Sequence, residues 1–343
     1  MGFSEEKKSQ IRHYLLEKIN ENQSSAVKRT ADAFGITPAS VYKYLNEMET
    51  AGVVQKIKRG EYLLACKTSV ITLHRSAGEL ESEMRIYDRY IYPLTIDLPR
   101  NVQGIWEYLC GEMINNVIDH SEAETLVIGI SRNALQTEIR LTDDGVGIFR
   151  KIKTYFGLDC IEEAVAELFK GKLTTDAAHH SGEGVFFSSR LADTFIIVSS
   201  GQVFTHNRFA EDEIRQIAMQ TPQDVNECGT TVFMTLANDS QKRAKDVFDL
   251  FADTDGGFTK TRIPLKNYFE SAPVSRSQAK RLVSRLDRFL EAELDFEGVE
   301  WMGQGFAHEL FVVFAKAHPE TKLIPLNMNE DVRKMHVHVT SGI

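Results

Sequence analysis

Cysteine is scarce in the 343 residues: there are four, at 66, 110, 160 and 228, too scattered to form a Cys-x-x-Cys pair. That spacing indicates neither a cysteine zinc site nor a disulfide framework, and a reducing cytoplasm is the expected setting. No apolar run approaches the ~18 residues of a membrane-spanning helix, so no membrane partner is expected. The opening MGFSEEKKSQ lacks the apolar core of a signal peptide. Low-complexity tracts and internal repeats are missing as well. What remains is ordinary for a folded chain long enough for two or three domains, with 42% hydrophobic and 26% charged residues. The net charge of −9 is unevenly spread: residues 1–68 hold eleven Lys and Arg against eight acids, a net of +3, and the remainder carries −12. An acidic chain with a mildly basic head points to a local nucleic-acid contact.

That head has a readable order. Ile11, Leu15, Leu16 and Ile19 recur at helical spacing between Glu5 and Asn20, and a second helix from about Ser25 to Phe34 stops at Gly35. In TPASVYKYLNEMETAG, Thr37 suits an N-cap and Pro38 the first helical position. Val41, Leu45 and Met48 form the buried stripe, and Gly52 closes the helix. VVQKIKRGEYLLA then reads as a hairpin turning at Arg59-Gly60. Helix, helix, turn, helix, hairpin is the order of a winged helix-turn-helix, which residues 1–68 resemble. Double-stranded DNA is the partner this implies. Ser40, Tyr42, Lys43 and Asn46 would face the groove, and Lys56, Lys58 and Arg59 would meet phosphates from the wing. Such modules also dock proteins. A helical linker is expected over residues 69–95, ending at Pro93, with His74 as an ordinary residue.

The stretch EMINNVIDH (112–120) is the chemically richest. On a helix, Glu112, Asn116, Asp119 and His120 share one face, opposite Met113, Ile114, Val117 and Ile118. Two strands follow, LVIGISR and TEIRLTDDG, the second leading into TDDGVGI. A carboxylate at a strand end before Gly-x-Gly permits close backbone approach to a ligand. Further on, HHSGEGVFFSSRLAD is a glycine-bearing turn opening a helix, suited to phosphate. Two more strands lie in IIVSS and CGTTVFMTL.

Four such pieces in this order resemble the GHKL ATPases, the group of gyrase, the Hsp-type chaperone and the histidine kinases, over residues 96–240. The resemblance implies an α/β sandwich with ATP and Mg²⁺ as cofactors. It implies Glu112 as the catalytic carboxylate that positions or deprotonates the attacking water, and Asn116 as the Mg²⁺ ligand. Asp119 and His120 would approach the phosphates. Asp143, with Gly145 and Gly147, would receive the adenine amino group, and Thr230 would help read adenine. Gly182 and Gly184 match the phosphate-side box, whose usual longer glycine run is shortened here. The segment from Phe149 to Ser181 would form a mobile lid, with Lys170 and Lys172 as candidates to reach phosphate or simply as solvated lysines. The chemistry is self-consistent: Mg²⁺ keeps several waters, so one amide oxygen can suffice, and hydrolysis needs one base beside the water.

Within an expected domain over residues 241–343, residues 260–343 alternate strand and helix, with a capping box at Ser275 and Gln278 and a βαβαβ order. They resemble a STAS-like domain of unknown function, found after GHKL-type domains in bacterial proteins, and this implies a protein partner. Where related domains carry a phosphorylatable Ser, this chain has Gly303-Gln304-Gly305-Phe306, and no Ser or Thr lies from Leu286 to Glu320. Gln304, His308 and Glu309 are candidates for partner contacts, although Gln304 reads more simply as a helix cap. The expected fold is therefore multidomain α+β and α/β: winged helix, GHKL sandwich and a small STAS-like α/β domain. The expected function is an ATP-binding, DNA-binding regulator with a slow ATPase as a switch, possible as a homodimer. A serine/threonine kinase of the anti-sigma type, acting on a partner protein, and an ATP-driven DNA clamp stay open as alternatives.

Overall fold

The computed structural model describes residues 3–21, 24–58, 60–173, 182–207, 228–269 and 271–341. Helices α1 (Glu5–Glu21), α2 (Ala26–Phe34) and α3 (Pro38–Thr50) lead into an antiparallel hairpin of β1 (Val54–Lys58) and β2 (Glu61–Leu64). Local chemistry sets the boundaries. Gly35 takes φ +61° after α2, and Thr37 Oγ1 accepts from the Ser40 N–H at the start of α3. Ile11, Leu15, Val41, Leu45, Met48, Val54 and Tyr62 close a core of their own.

A six-stranded antiparallel sheet follows, in the order β3-β4-β5-β8-β6-β7. Its strands are β3 (Lys67–His74), β4 (Thr125–Arg132), β5 (Gln136–Asp143), β6 (Thr194–Ser199), β7 (Gln202–Thr205) and β8 (Thr230–Ala237). The strand β3 corrects the expected helical linker. KTSVITLH carries β-branched Val70, Ile71 and Thr72 and pairs along its whole length with β4, so the helical part begins only later. There α4 (Glu83–Ile86) passes through a π-helical stretch, Tyr87–Ile91, into α5 (Tyr92–Thr95). Pro93 does not end this segment. It sits in the first turn of α5, where its missing N–H costs least.

Packed on one sheet face are α6 (Arg100–Asn115), which continues as a π-helix (Asn116–Ser121), together with α7 (Ile148–Phe156), α8 (Ile161–Leu168) and α9 (Gly184–Leu191). Leu126, Ile128 and Ile130 of β4 and Ile139 and Leu141 of β5 alternate inward to meet Ile105, Trp106, Leu109 and Met113 of α6. Helix α10 (Ala244–Phe251) lays Phe248 against Tyr108 and Phe187, with ring centroids 5.2 and 4.7 Å apart.

The C-terminal unit is a parallel three-stranded sheet, order β11-β10-β9, from β9 (Lys260–Pro264), β10 (Glu291–Asp295) and β11 (Lys322–Leu326). Helices α11 (Leu265–Tyr268) and α12 (Arg276–Val283) lie between its first two strands. Helix α13 (Gln304–His308) continues through a π-helical stretch, Glu309–Phe314, into α14 (Ala315–Ala317), and α15 (Glu330–Thr340) closes the chain. The capping box at Ser275 and Gln278 is formed on both sides. Gln304 is the first helical residue and not a cap; that position belongs to Gly303. Residues of this unit, Ile263, Leu282, Phe289 and Phe306 among them, belong to the same core as the larger sheet. Among the described residues no helix is long and apolar enough to cross a membrane.

Candidate functional site

Period-two alternation carries the row Thr137, Ile139, Leu141 of β5 to Asp143, which therefore points its carboxylate into the helix-covered face and is 4% exposed. Directly opposite in the ladder stands Thr230 of β8. Both line a cavity of ≈ 290 Å³, near the lower end of small-molecule sites. Its floor adds Ile197 and Val232. One wall is Glu112, Met113, Asn115, Asn116 and His120; another is Gly147, Ile148, Lys151 and Ile152. Ser121, Leu168, Gly171 and Leu173 and then Gly182 to Phe186 complete the lining.

Of the residues singled out in sequence, Glu112, Asn116, His120, Asp143, Gly147, Gly182, Gly184 and Thr230 come together here. Gly145 stands just outside the lining, where a Cβ would collide with the Ser121 carbonyl. That carbonyl also accepts from Val146 N–H at 2.8 Å, so the loop has no room to shift. Asp119 is exposed and absent from the lining. The reason is the π-helix beginning at Asn116. Its i→i+5 bonds put more residues in each turn, which keeps His120 in line with Asn116 and swings Asp119 aside. Arg75, after β3, secures this turn by donating to the carbonyls of Val117, Ile118 and Ala123.

Burial pushes the Asp143 carboxyl up to about 6, although the backbone N–H groups of Gly145, at 2.9 Å, and Thr230 hold it back. The Thr230 hydroxyl accepts from Ile148 N–H at 3.0 Å, opening α7, and still has its own proton to donate. Asn116 donates to Met113 Sδ at 3.9 Å, and no donor among the described residues uses its Oδ1. A Cβ at Gly184 would collide with the Glu112 carboxylate, so this carboxylate lies against the first turn of α9. Gly147 (φ +82°) and Gly182 (φ +72°) adopt left-handed backbone in the two glycine turns. The cavity thus has apolar sides, a buried acceptor at the sheet, and carboxylate, amide, imidazole and helix-terminus groups on its helical walls. It is suited to a flat, hydrogen-bonding aromatic ring carrying a polar tail.

Lys151 was missed in sequence. It stands four residues after Gly147, so one helical turn brings it to the rim, where Nζ donates to the His120 carbonyl. Lys170 and Lys172 face away from the cavity. Lys170 is 2% exposed and held by Glu167, and Lys172 donates to the Arg288 carbonyl at 2.7 Å. The expected lid also changes. Between residues 149 and 173 the chain forms α7 and α8, whose Phe149, Ile152, Ala164 and Leu168 are buried in the core, and residues 174–181 lie outside the described residues. Among the described residues no cluster of three His, Cys, Asp or Glu could hold a metal.

On the head, Tyr42, Lys43 and Asn46 project from the exposed side of α3, while Ser40 is half-buried against the Thr37 cap. Lys56 and Lys58 are exposed on β1, with Lys58 paired to Glu61 at 3.0 Å. Arg59 lies outside the described residues. Residues 278–333 match the family described as a STAS-like domain of unknown function (DUF4325), so the C-terminal unit carries a STAS-like domain. The match spans most of α12, β10, the long helical segment, β11 and the start of α15. No curated protein matches the chain.

Proposed function

We propose that the chain is a regulator in which an ATP-binding unit switches a DNA-binding head and reports to the STAS-like domain. In this reading residues 1–68 are a winged helix-turn-helix and residues 96–240 a GHKL ATPase unit. One observation carries it: four separated sequence pieces converge on one cavity, with Asp143 and Thr230 paired at its sheet floor and Glu112, Asn116 and Gly184 on its helical walls. In this arrangement Asp143 accepts the adenine amino group. A carboxylate acceptor there discriminates against guanine, whose carbonyl would face it unpaired. Asn116 Oδ1 is the protein ligand for Mg²⁺, which when bound would neutralise phosphate charge. Glu112 orients water and takes its proton. Gly184 and the first turn of α9 offer N–H groups to phosphate oxygens. The exposed Lys43, Asn46 and Lys56 support the head as a DNA contact.

The test separates the roles. Glu112→Ala should bind ATP in calorimetry yet release no phosphate, whereas Asn116→Ala should weaken Mg²⁺-ATP binding. Undiminished hydrolysis in Glu112→Ala would remove that carboxylate from the mechanism.

A further inference from the structure

The strap from Phe169 to Leu173 alternates between two tasks. Gly171 and Leu173 line the cavity, and Leu173 N–H donates at 3.0 Å to the carbonyl of Gly182, another lining residue. The two lysines between and beside them point the other way, into the STAS-like unit. Lys170 Nζ donates to Glu167 Oε1 at 2.7 Å, to the Arg281 carbonyl at 2.8 Å and to the Ser284 carbonyl at 2.9 Å. An ammonium has three protons, and here all three are used. Both carbonyls belong to the C-terminal end of α12, where a helix leaves carbonyls without partners and favours a cation. Lys170 therefore caps, in trans, a helix of the neighbouring unit.

Further ties lock the same register. The Thr261 hydroxyl of β9 donates to the Lys170 carbonyl at 2.6 Å, and Thr261 is 1% exposed. Lys172 donates to the Arg288 carbonyl. Gly171 has φ +81°, and a Cβ there would meet Phe186 and Phe258 at 2.8 and 2.9 Å. From the other wall, Arg190 of α9 reaches the Arg262 carbonyl of β9 at 3.1 Å. A buried ammonium stripped of its acceptors is costly, so the strap cannot slide by degrees. It is either seated with its bonds to Arg281, Ser284 and Thr261 or displaced without them, keeping only Glu167 of its own segment, which makes it a two-state element.

We propose that this strap couples the cavity to the STAS-like unit, so that nucleotide binding and the seating of α12 on the strap are linked equilibria. The proposal rests on the reading of the cavity as an ATP site. The seated strap supplies the Gly171–Leu173 wall, so ATP favours seating, and by linkage seating favours ATP by the same factor. Lys170 is accordingly a positioning residue and not a phosphate ligand.

The experiment uses the full chain, Mg²⁺ and a non-hydrolysable ATP analogue. Two variants release the latch from opposite sides: Lys170→Met from the strap and Thr261→Val from β9, which leaves the cavity lining intact. Each should weaken analogue binding in calorimetry by at least about fivefold, within the ~5–150-fold range of such couplings. In the wild type the analogue should slow amide exchange over residues 281–291, a readout that lost packing alone would not produce. Wild-type binding with unchanged or tighter affinity in both variants, and exchange indifferent to the analogue, overturns the proposal. A wild type that binds no analogue at all instead overturns the ATP reading, and the coupling with it.

Discussion

The floor of the cavity makes a pH-dependent prediction. Asp143 titrates near 6 because burial disfavours its charge, against an ordinary value of 3.8. A folded-state value above the unfolded one means the native state binds the extra proton between the two. Stability therefore falls as pH rises from about 4 through about 6, by roughly 1.4 kcal/mol for each pH unit crossed, or about 3 kcal/mol in all. The same titration acts on the ligand with opposite sign. In the ATP reading the ionised carboxylate is a stronger acceptor for the adenine amino group than the neutral acid, which keeps only a carbonyl, and at pH 5 about one molecule in eleven is ionised. The apparent Kd for ATP should then rise by up to about tenfold between pH 7 and pH 5. Isothermal calorimetry at half-unit intervals measures this. Asp143→Asn, whose binding is weaker, carries the protonation of the phosphates alone, so the Asp143 step is the difference between the wild-type and variant profiles. The variant should also be more stable than the wild type at pH 7 in urea denaturation. A wild-type Kd that runs parallel to that of Asp143→Asn from pH 7 to 5 refutes the assignment of this carboxylate to the base.

Gly145→Ala tests the packing of the same loop. Its Cβ meets the Ser121 carbonyl, which Val146 already holds, so urea denaturation should show a loss of ~1–3 kcal/mol at unchanged slope; an unmoved midpoint refutes the close approach. The head is tested by Lys43→Ala with Lys56→Ala. Duplex binding followed by fluorescence anisotropy should lose about one unit of log–log salt slope per phosphate contact removed, with ATP binding intact, and a wild-type slope would mean the head docks something else.

Much of the site was legible because its chemistry is local. The Thr37 cap, the Ser275–Gln278 box and the stop at Gly35 depend on a few neighbouring residues, and each was readable in order along the chain. The inward row of β5 is likewise a period-two pattern that ends on Asp143 whatever else the chain does. Other features were not local. Whether Asp119 joined Glu112 and Asn116 depended on a π-helical turn, held by Arg75 from a segment about forty residues upstream. KTSVITLH became a strand because the edge of β4 was open to it.

Lys170 and Lys172 are the clearest division between the two levels. Sequence by itself determined their charge and their nearness to the glycine turn. It could not determine their direction, because a side chain in an irregular strap has no period to follow. Tertiary structure decided that direction. The helix end at Arg281 and Ser284, more than a hundred residues later, presents carbonyls that lack partners in their own helix, and a buried ammonium goes where all three of its protons are satisfied.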